Sequence, residues 1–162
     1  MVLKSILPQS FENVQEAVRW LDLIHNAIFF SSRENPYGEG SDPVSDNRWR
    51  REQLLFLGIL DGWAAALLPL LRRENHPRCG APKKTILITS LKIQWNNTYI
   101  FVYTSHYHDY QGLREMEPRF RDIVDLATTI VDSPDQAYRV TPLSISGVVL
   151  SLFVVANKCR DA

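Results

Sequence analysis

Apolar residues recur every three or four positions in several stretches of the chain, which is the spacing of a buried helix face. The first stretch predicts a helix over residues 10–32, with Ser10 as a candidate N-cap. The second predicts a helix over residues 47–71. The third predicts a helix that begins near Glu117. Its apolar stripe comprises Met116, Phe120, Ile123, Val124, Ala127, Ile130 and Val131.

Glycine, proline and polar residues interrupt this pattern. Residues 33–46 are rich in Glu, Asn, Pro, Gly and Ser, so we expect a long loop between the first two helices. Gly58 and Gly62 lie four residues apart on one face of the second helix, where they would let a helix or a ligand approach closely. Pro69 lacks the amide hydrogen that a helix interior needs, so it is expected to kink or end that helix.

Residues 85–105 fit two patterns. β-branched and aromatic residues flank Asn96 and Asn97, as they would in two strands around a turn. The same stretch also has an apolar face at helical spacing. An isolated two-stranded hairpin is marginally stable unless a helix covers it, so a helix is our prediction.

The chain ends in an apolar run from Val148 to Ala156, followed by a charged cluster. The run is too short to span a membrane and long enough to form a buried helix. The predicted fold is therefore all-α, a single domain over residues 1–162. We expect an antiparallel, bundle-like arrangement of about five helices with the C-terminal apolar helix at its centre.

The residues from Gly147 to Asp161 also carry a family resemblance. Leu-Phe-Val-Val-Ala-Asn-Lys-Cys-Arg-Asp, residues 152–161, resembles a signature near the C-terminus of fungal binuclear-zinc-cluster transcription factors. Ser151 stands where that family usually has Pro, and the chain stops at Ala162, before the Arg-rich helix of the family. The Cys-rich zinc cluster and its basic linker do not occur in this sequence. The resemblance implies a helical architecture, with a long helix over residues 85–105, more than it implies transcription.

Composition narrows the possible functions. The 18 basic and 18 acidic residues balance, so no net field attracts nucleic acid or an anionic membrane. Two cysteines, Cys79 and Cys159, are too few for a disulfide framework or a zinc cluster, and no metal site is expected. The sequence has no Gly-rich phosphate loop and no serine-hydrolase elbow, so no cofactor is predicted. Without a signal peptide or an expected membrane span, we predict a cytoplasmic or nuclear protein that binds neither membranes nor, directly, nucleic acid.

Titratable residues concentrate in two places. His106, His108 and Asp109 lie in the polar connection after residue 104, and Arg121 and Asp125 lie four residues apart on the helix that follows. A solvated loop and an intrahelical ion pair are the simpler interpretations. As an active site, these residues would supply an acid or base and a cation that stabilises a developing oxyanion. They are the candidate catalytic residues.

Aromatic residues supply a candidate ligand pocket. Trp63, Trp95, Tyr99 and Tyr103 would form its apolar wall, and Arg119 would hold a carboxylate or an enolate. Ordinary core packing is the simpler interpretation of each aromatic residue taken singly.

Two functional hypotheses follow. The first is a stand-alone, transcription-factor-like domain of fungal secondary metabolism that binds a small apolar molecule. In a catalytic form of this hypothesis, the protein is a small cyclase that closes a lactone or a pyrone on a polyketide-like substrate. The alternative is a non-catalytic regulatory or dimerisation module, whose partner is a second copy of the chain or a fungal transcription regulator. The fungal assignment in both hypotheses rests on the family resemblance. The sequence leaves open whether the chain is an enzyme.

Overall fold

The computed structural model describes residues 3–34, 43–74, 82–105 and 110–132. All elements in these ranges are α-helices, so the predicted all-α, bundle-like class is confirmed. The helices are α1 (Leu3–Ile6), α2 (Val14–Glu34), α3 (Pro43–Glu74), α4 (Pro82–Thr104), α5 (Tyr110–Glu115) and α6 (Glu117–Val131). The chain divides into two compact units, Met1–Arg73 (unit 1) and Glu74–Ala162 (unit 2).

In unit 1, α2 and α3 run antiparallel. The indole Nε1 of Trp63 donates to the carbonyl of Ala17 over 3.0 Å, and the Ser31 hydroxyl donates to Glu52 over 2.7 Å. Residues early in α2 therefore contact residues late in α3, and residues late in α2 contact residues early in α3. The apolar stripes that the sequence predicts for both helices supply the core between them. Its fully buried members include Leu21, Ile24, Phe56, Leu60 and Trp63.

The start of α2 lies later than predicted because Asn13, not Ser10, caps the helix. The Asn13 side-chain oxygen accepts a hydrogen bond from the backbone N–H of Glu16 over 2.9 Å. The Glu16 carboxylate in turn accepts from the backbone N–H of Glu12 over 2.7 Å. The first bond satisfies an amide that the first turn leaves without a partner, and the second ties Glu16 back to the residue before the cap, in an arrangement close to a capping box.

The long helices also extend beyond their other predicted ends. α2 continues to Glu34 and α3 begins at Pro43, so only residues 35–42 of the predicted loop separate them, outside the described residues. α3 passes through Pro69 and ends at Glu74, so of the two predicted effects of this proline, a kink or a helix end, the helix end is wrong. The Pro69 carbonyl accepts a hydrogen bond from Arg73 Nε over 3.3 Å, which supports the last turn.

By length and composition, the stretch of α3 from Arg50 to Arg73 is apolar enough to cross a membrane. By length and composition, α3 therefore departs from the expectation of no membrane span. The core helix of a water-soluble protein can meet the same criterion, and 39% of the apolar window in this stretch is buried.

In unit 2, the stretch predicted as one helix, residues 85–105, lies in α4 up to Thr104, so the helix prediction is confirmed. α4 packs against α6, and α5 contacts both helices. The buried cluster between them comprises Ile93, Ile100, Met116, Phe120, Ile123 and Ala127. α6 begins at Glu117 with Pro118 in its first turn, as the sequence predicts.

The stripe predicted for α6 is too wide. Phe120, Ile123 and Ala127 are buried, whereas Val124 and Val131 are 44% and 58% exposed. At about 100° per residue, Val124 lies at the edge of the buried face, and Val131 is the last residue of the helix.

The predicted C-terminal helix and its central position lie outside the described residues, which end at 132. The single-domain organisation also stays a prediction.

Candidate functional site

Arg119 of α6 lies in a corner formed by two aromatic rings of α4. Its guanidinium carbon is 3.5 Å from the ring centre of Tyr99 and 4.5 Å from that of Trp95. The two rings are 5.9 Å apart and inclined by 59°. These distances give nearly a right angle at the guanidinium, so Arg119 is not sandwiched between parallel faces. The guanidinium carbon lies over both rings and is closer to Tyr99.

A buried amide completes this arrangement. Arg119 Nη1 donates to Asn96 Oδ1 over 3.0 Å, and Asn96 is only 3% exposed. Residues three and four apart on a helix share a face, so α4 presents Trp95, Asn96 and Tyr99 together. We call Trp95, Asn96, Tyr99 and Arg119 the Arg119 cluster.

The charge of Arg119 has no counter-charge among the described residues. Its contacts there are the two rings and Asn96, and it forms no ion pair with a described carboxylate. The residue is half-buried. A guanidinium has five N–H donors in a rigid fork, and the hydrogen bond to Asn96 uses one of them. The arrangement can therefore bind an anion, with carboxylate geometry matching the fork.

Tyr103 lies one helical turn beyond Tyr99, at the edge of the cluster. Its hydroxyl donates a hydrogen bond to the carboxylate of Glu115, the last residue of α5. This bond ties α4 to the segment that leads into α6. The Glu115 side chain is thereby turned to Tyr103, although Glu115 precedes Arg119 by only four residues.

Trp63, the remaining predicted wall residue, lies in the core of unit 1. It is 1% exposed, its ring centre is 5.9 Å from that of Phe11, and its N–H is bonded to Ala17. These contacts give Trp63 the structural role that is usual for a buried tryptophan.

Two predicted catalytic residues, Arg121 and Asp125, lie away from the cluster. Both are exposed, and Arg121 Nη2 is paired with Glu117 Oε1 at 2.6 Å rather than with Asp125. The expected pairing of Arg121 with Asp125 is corrected accordingly. Residues two apart on a helix point in nearly opposite directions, so Arg121 cannot share the site of Arg119.

The other predicted catalytic residues, His106, His108 and Asp109, lie outside the described residues. Within the described ranges, no group of three or more His, Cys, Asp and Glu side chains could hold a metal ion.

Asn96 and Glu115 are the site residues that the sequence did not single out. Asn96 was assigned to a possible turn, because two adjacent asparagines favour one. Once α4 is a helix, Asn96, Tyr99 and Tyr103 form a stripe at spacings of three and four. That stripe was the sequence pattern that could have identified Asn96 as a site residue.

No protein-family model, curated protein or solved structure matches this chain. The resemblance to fungal transcription factors remains a prediction, and the functional argument rests on the Arg119 cluster.

Proposed function

We propose that the protein binds a small apolar molecule carrying a carboxylate or an enolate, with Arg119 as its anion-binding residue. The observation that supports this proposal is the half-buried guanidinium of Arg119, which lies against Tyr99 and Trp95 without a carboxylate partner among the described residues. A cation that is withdrawn from water and lacks an anion favours a ligand that supplies one.

The surroundings of Arg119 hold it ready for such a ligand. Stacking on Tyr99 and the hydrogen bond to Asn96 restrict a side chain that otherwise loses about 2 kcal/mol of rotamer entropy when it is fixed. A ligand anion then meets a guanidinium that is already oriented. The apolar part of the ligand would lie against Trp95, which is only half-buried.

The test uses a planar acid and its neutral isostere, 2-naphthoate and 2-naphthamide, titrated by calorimetry into the full chain. We expect the acid to bind and the amide to bind about tenfold more weakly, since hydrogen bonds to charged groups contribute about 1.5–3 kcal/mol. Arg119→Gln should remove this preference for the acid.

Arg121→Gln is the matched control. It makes the same change in charge on the same helix, but at an exposed residue paired with Glu117. We expect it to bind 2-naphthoate as the unmodified protein does. Equal losses of affinity for 2-naphthoate in the two variants, or no preference of the unmodified protein for the acid over the amide, would show that Arg119 is a structural cation. Either result would refute the proposal.

The cyclase activity stays a prediction. Arg121 and Asp125 are exposed on α6 and do not join the Arg119 cluster, and the other candidate catalytic residues lie outside the described residues. The proposal therefore concerns binding alone.

A further inference from the structure

Glu115 is an acidic residue close to Arg119 in the sequence. The two residues are four apart, with the acid first, which is the favourable order for an ion pair on a helix. The backbone between them stays close to helical. Met116 has φ −90° and ψ −1°, and its carbonyl accepts from the N–H of Phe120 over 3.1 Å.

The neighbouring pair with the same spacing shows what this geometry normally produces. Glu117 and Arg121, two residues further along, form an ion pair at 2.6 Å. Glu115 and Arg119 do not pair. The Glu115 carboxylate accepts from the Tyr103 hydroxyl, and the Arg119 guanidinium lies over Tyr99. Two features distinguish the pairs. Glu115 ends α5 and is separated from α6 by Met116, whereas Glu117 and Arg121 both belong to α6, and a hydroxyl from α4 reaches the first carboxylate.

We infer that Tyr103 is a positioning residue that holds Glu115 away from Arg119 and so keeps the guanidinium open to an external anion. Glu115 is then a competitor built into the chain, and Tyr103 sets how strongly it competes. This inference rests on the proposed binding function, because it concerns access to the same guanidinium.

The inference predicts an effect that needs no ligand. In the unmodified chain, the side-chain protons of Arg119 lie over the Tyr99 ring and should show upfield ring-current shifts in NMR spectra. Tyr103→Phe keeps the ring of residue 103 but frees Glu115. We expect Glu115 to draw Arg119 away from Tyr99, so that the Arg119 signals move downfield.

The inference also predicts weaker ligand binding. In Tyr103→Phe, the affinity for 2-naphthoate should fall about twofold, the size expected when an exposed pair at this spacing must first be broken. Glu115→Gln removes the competing charge, so the double variant Tyr103→Phe/Glu115→Gln should regain the affinity and the Arg119 shifts of the unmodified protein. Near-UV circular dichroism checks that each variant is folded.

The outcomes separate this inference from the proposed function. If Arg119 signals stay in place in Tyr103→Phe, the positioning role is refuted even where 2-naphthoate binds. If they move and the double variant restores them, the positioning role holds even where no acid binds, and only the proposed function fails. An affinity loss that persists in the double variant would mean that Tyr103 touches the ligand itself, which also refutes the inference.

Discussion

Arg119 and Arg121 show that two residues of the same type can have different surroundings. Both are arginines on α6, yet Arg119 lies over Tyr99 and Trp95 while Arg121 pairs with Glu117 in solvent. The sequence grouped Arg119 with the two aromatic residues, and the structure brings these three together. It assigned Arg121 to catalysis, which its exposed position does not support.

Asn96 and Asn97 are adjacent residues of α4 that should respond oppositely to truncation. Asn96 is buried and holds Arg119, so Asn96→Ala should lower the free energy of unfolding by about 1 kcal/mol. The Oδ1 atom of Asn97 is buried and has no hydrogen-bond partner. Asn97→Ala removes this unsatisfied oxygen and improves helix propensity, so it should raise stability by up to about 1 kcal/mol.

Urea unfolding followed by far-UV circular dichroism measures both changes. The two variants lose the same chemical group one residue apart, so each is the control for the other. A loss of stability in Asn97→Ala equal to that in Asn96→Ala would contradict the different hydrogen bonding of the two amides.

At the scale of elements, α4 shows why local preference failed to decide between helix and strand. Its buried residues lie on opposite faces, with Ile93 and Ile100 toward α6 and Leu91 and Val102 on the other side. A helix buried on more than one face loses the periodic pattern that identifies amphipathic helices. The buried hydroxyl of Ser90 donates to the carbonyl four residues back, which makes a polar side chain tolerable there.

Gly62 of α3 gives a test of element packing. A Cβ atom at this position would lie 2.9 Å from Leu7 Cδ2. Gly62→Ala gains about 1 kcal/mol of helix propensity but must displace the end of the Leu7 side chain. We expect these effects to offset each other and the free energy of unfolding to change by less than about 0.5 kcal/mol.

The same substitution should behave differently once Leu7 is truncated. In a Leu7→Ala background, Gly62→Ala should stabilise the protein by about 1 kcal/mol, since only the propensity term remains. Urea midpoints of the four proteins in this cycle provide the measurement. Equal effects of Gly62→Ala in both backgrounds would mean that Leu7 does not restrict this position.

At the scale of the whole molecule, the described helices belong to two compact units. Phe11, Trp63 and Ala17 connect the elements of unit 1, and Ile93, Ile100 and Phe120 contribute to the core of unit 2. Neither the division nor the pairing of particular residues is visible in the periodicity, which reports only which face of each helix is apolar.

The pH dependence of stability should reflect His25 of unit 1. Burial lowers the pKa of His25, and the nearby Asp22 carboxylate offsets part of this effect. The unfolded chain, with an ordinary histidine pKa of about 6.5, therefore takes up a proton before the folded chain does. Stability should be full above about pH 6.5 and should fall as the pH decreases from there toward the folded-state pKa.

Urea midpoints at several values of pH test this expectation, with His25→Gln as the comparison. The variant should lose less stability than the unmodified protein over the same interval. Asp22→Asn should deepen the loss, because it removes the charge that favours the protonated imidazole. An identical pH profile in His25→Gln would assign the dependence to other groups.

The sequence by itself determined the class of the fold, the existence of α2, α3 and α6, and most of their buried faces. It could do so because burial of apolar side chains at helical spacing is a local property of the chain. It also identified Trp95, Tyr99 and Arg119 as residues of one candidate site.

Only the tertiary structure decided the continuation of α3 through Pro69 and the burial of α4 on opposite faces. It also decided that Arg119 lacks a carboxylate partner among the described residues while Glu115 is bonded to Tyr103. These features depend on contacts between elements far apart in the chain. Such contacts determine which polar groups form hydrogen bonds and which charged group has no ion-pair partner. No local pattern encodes them.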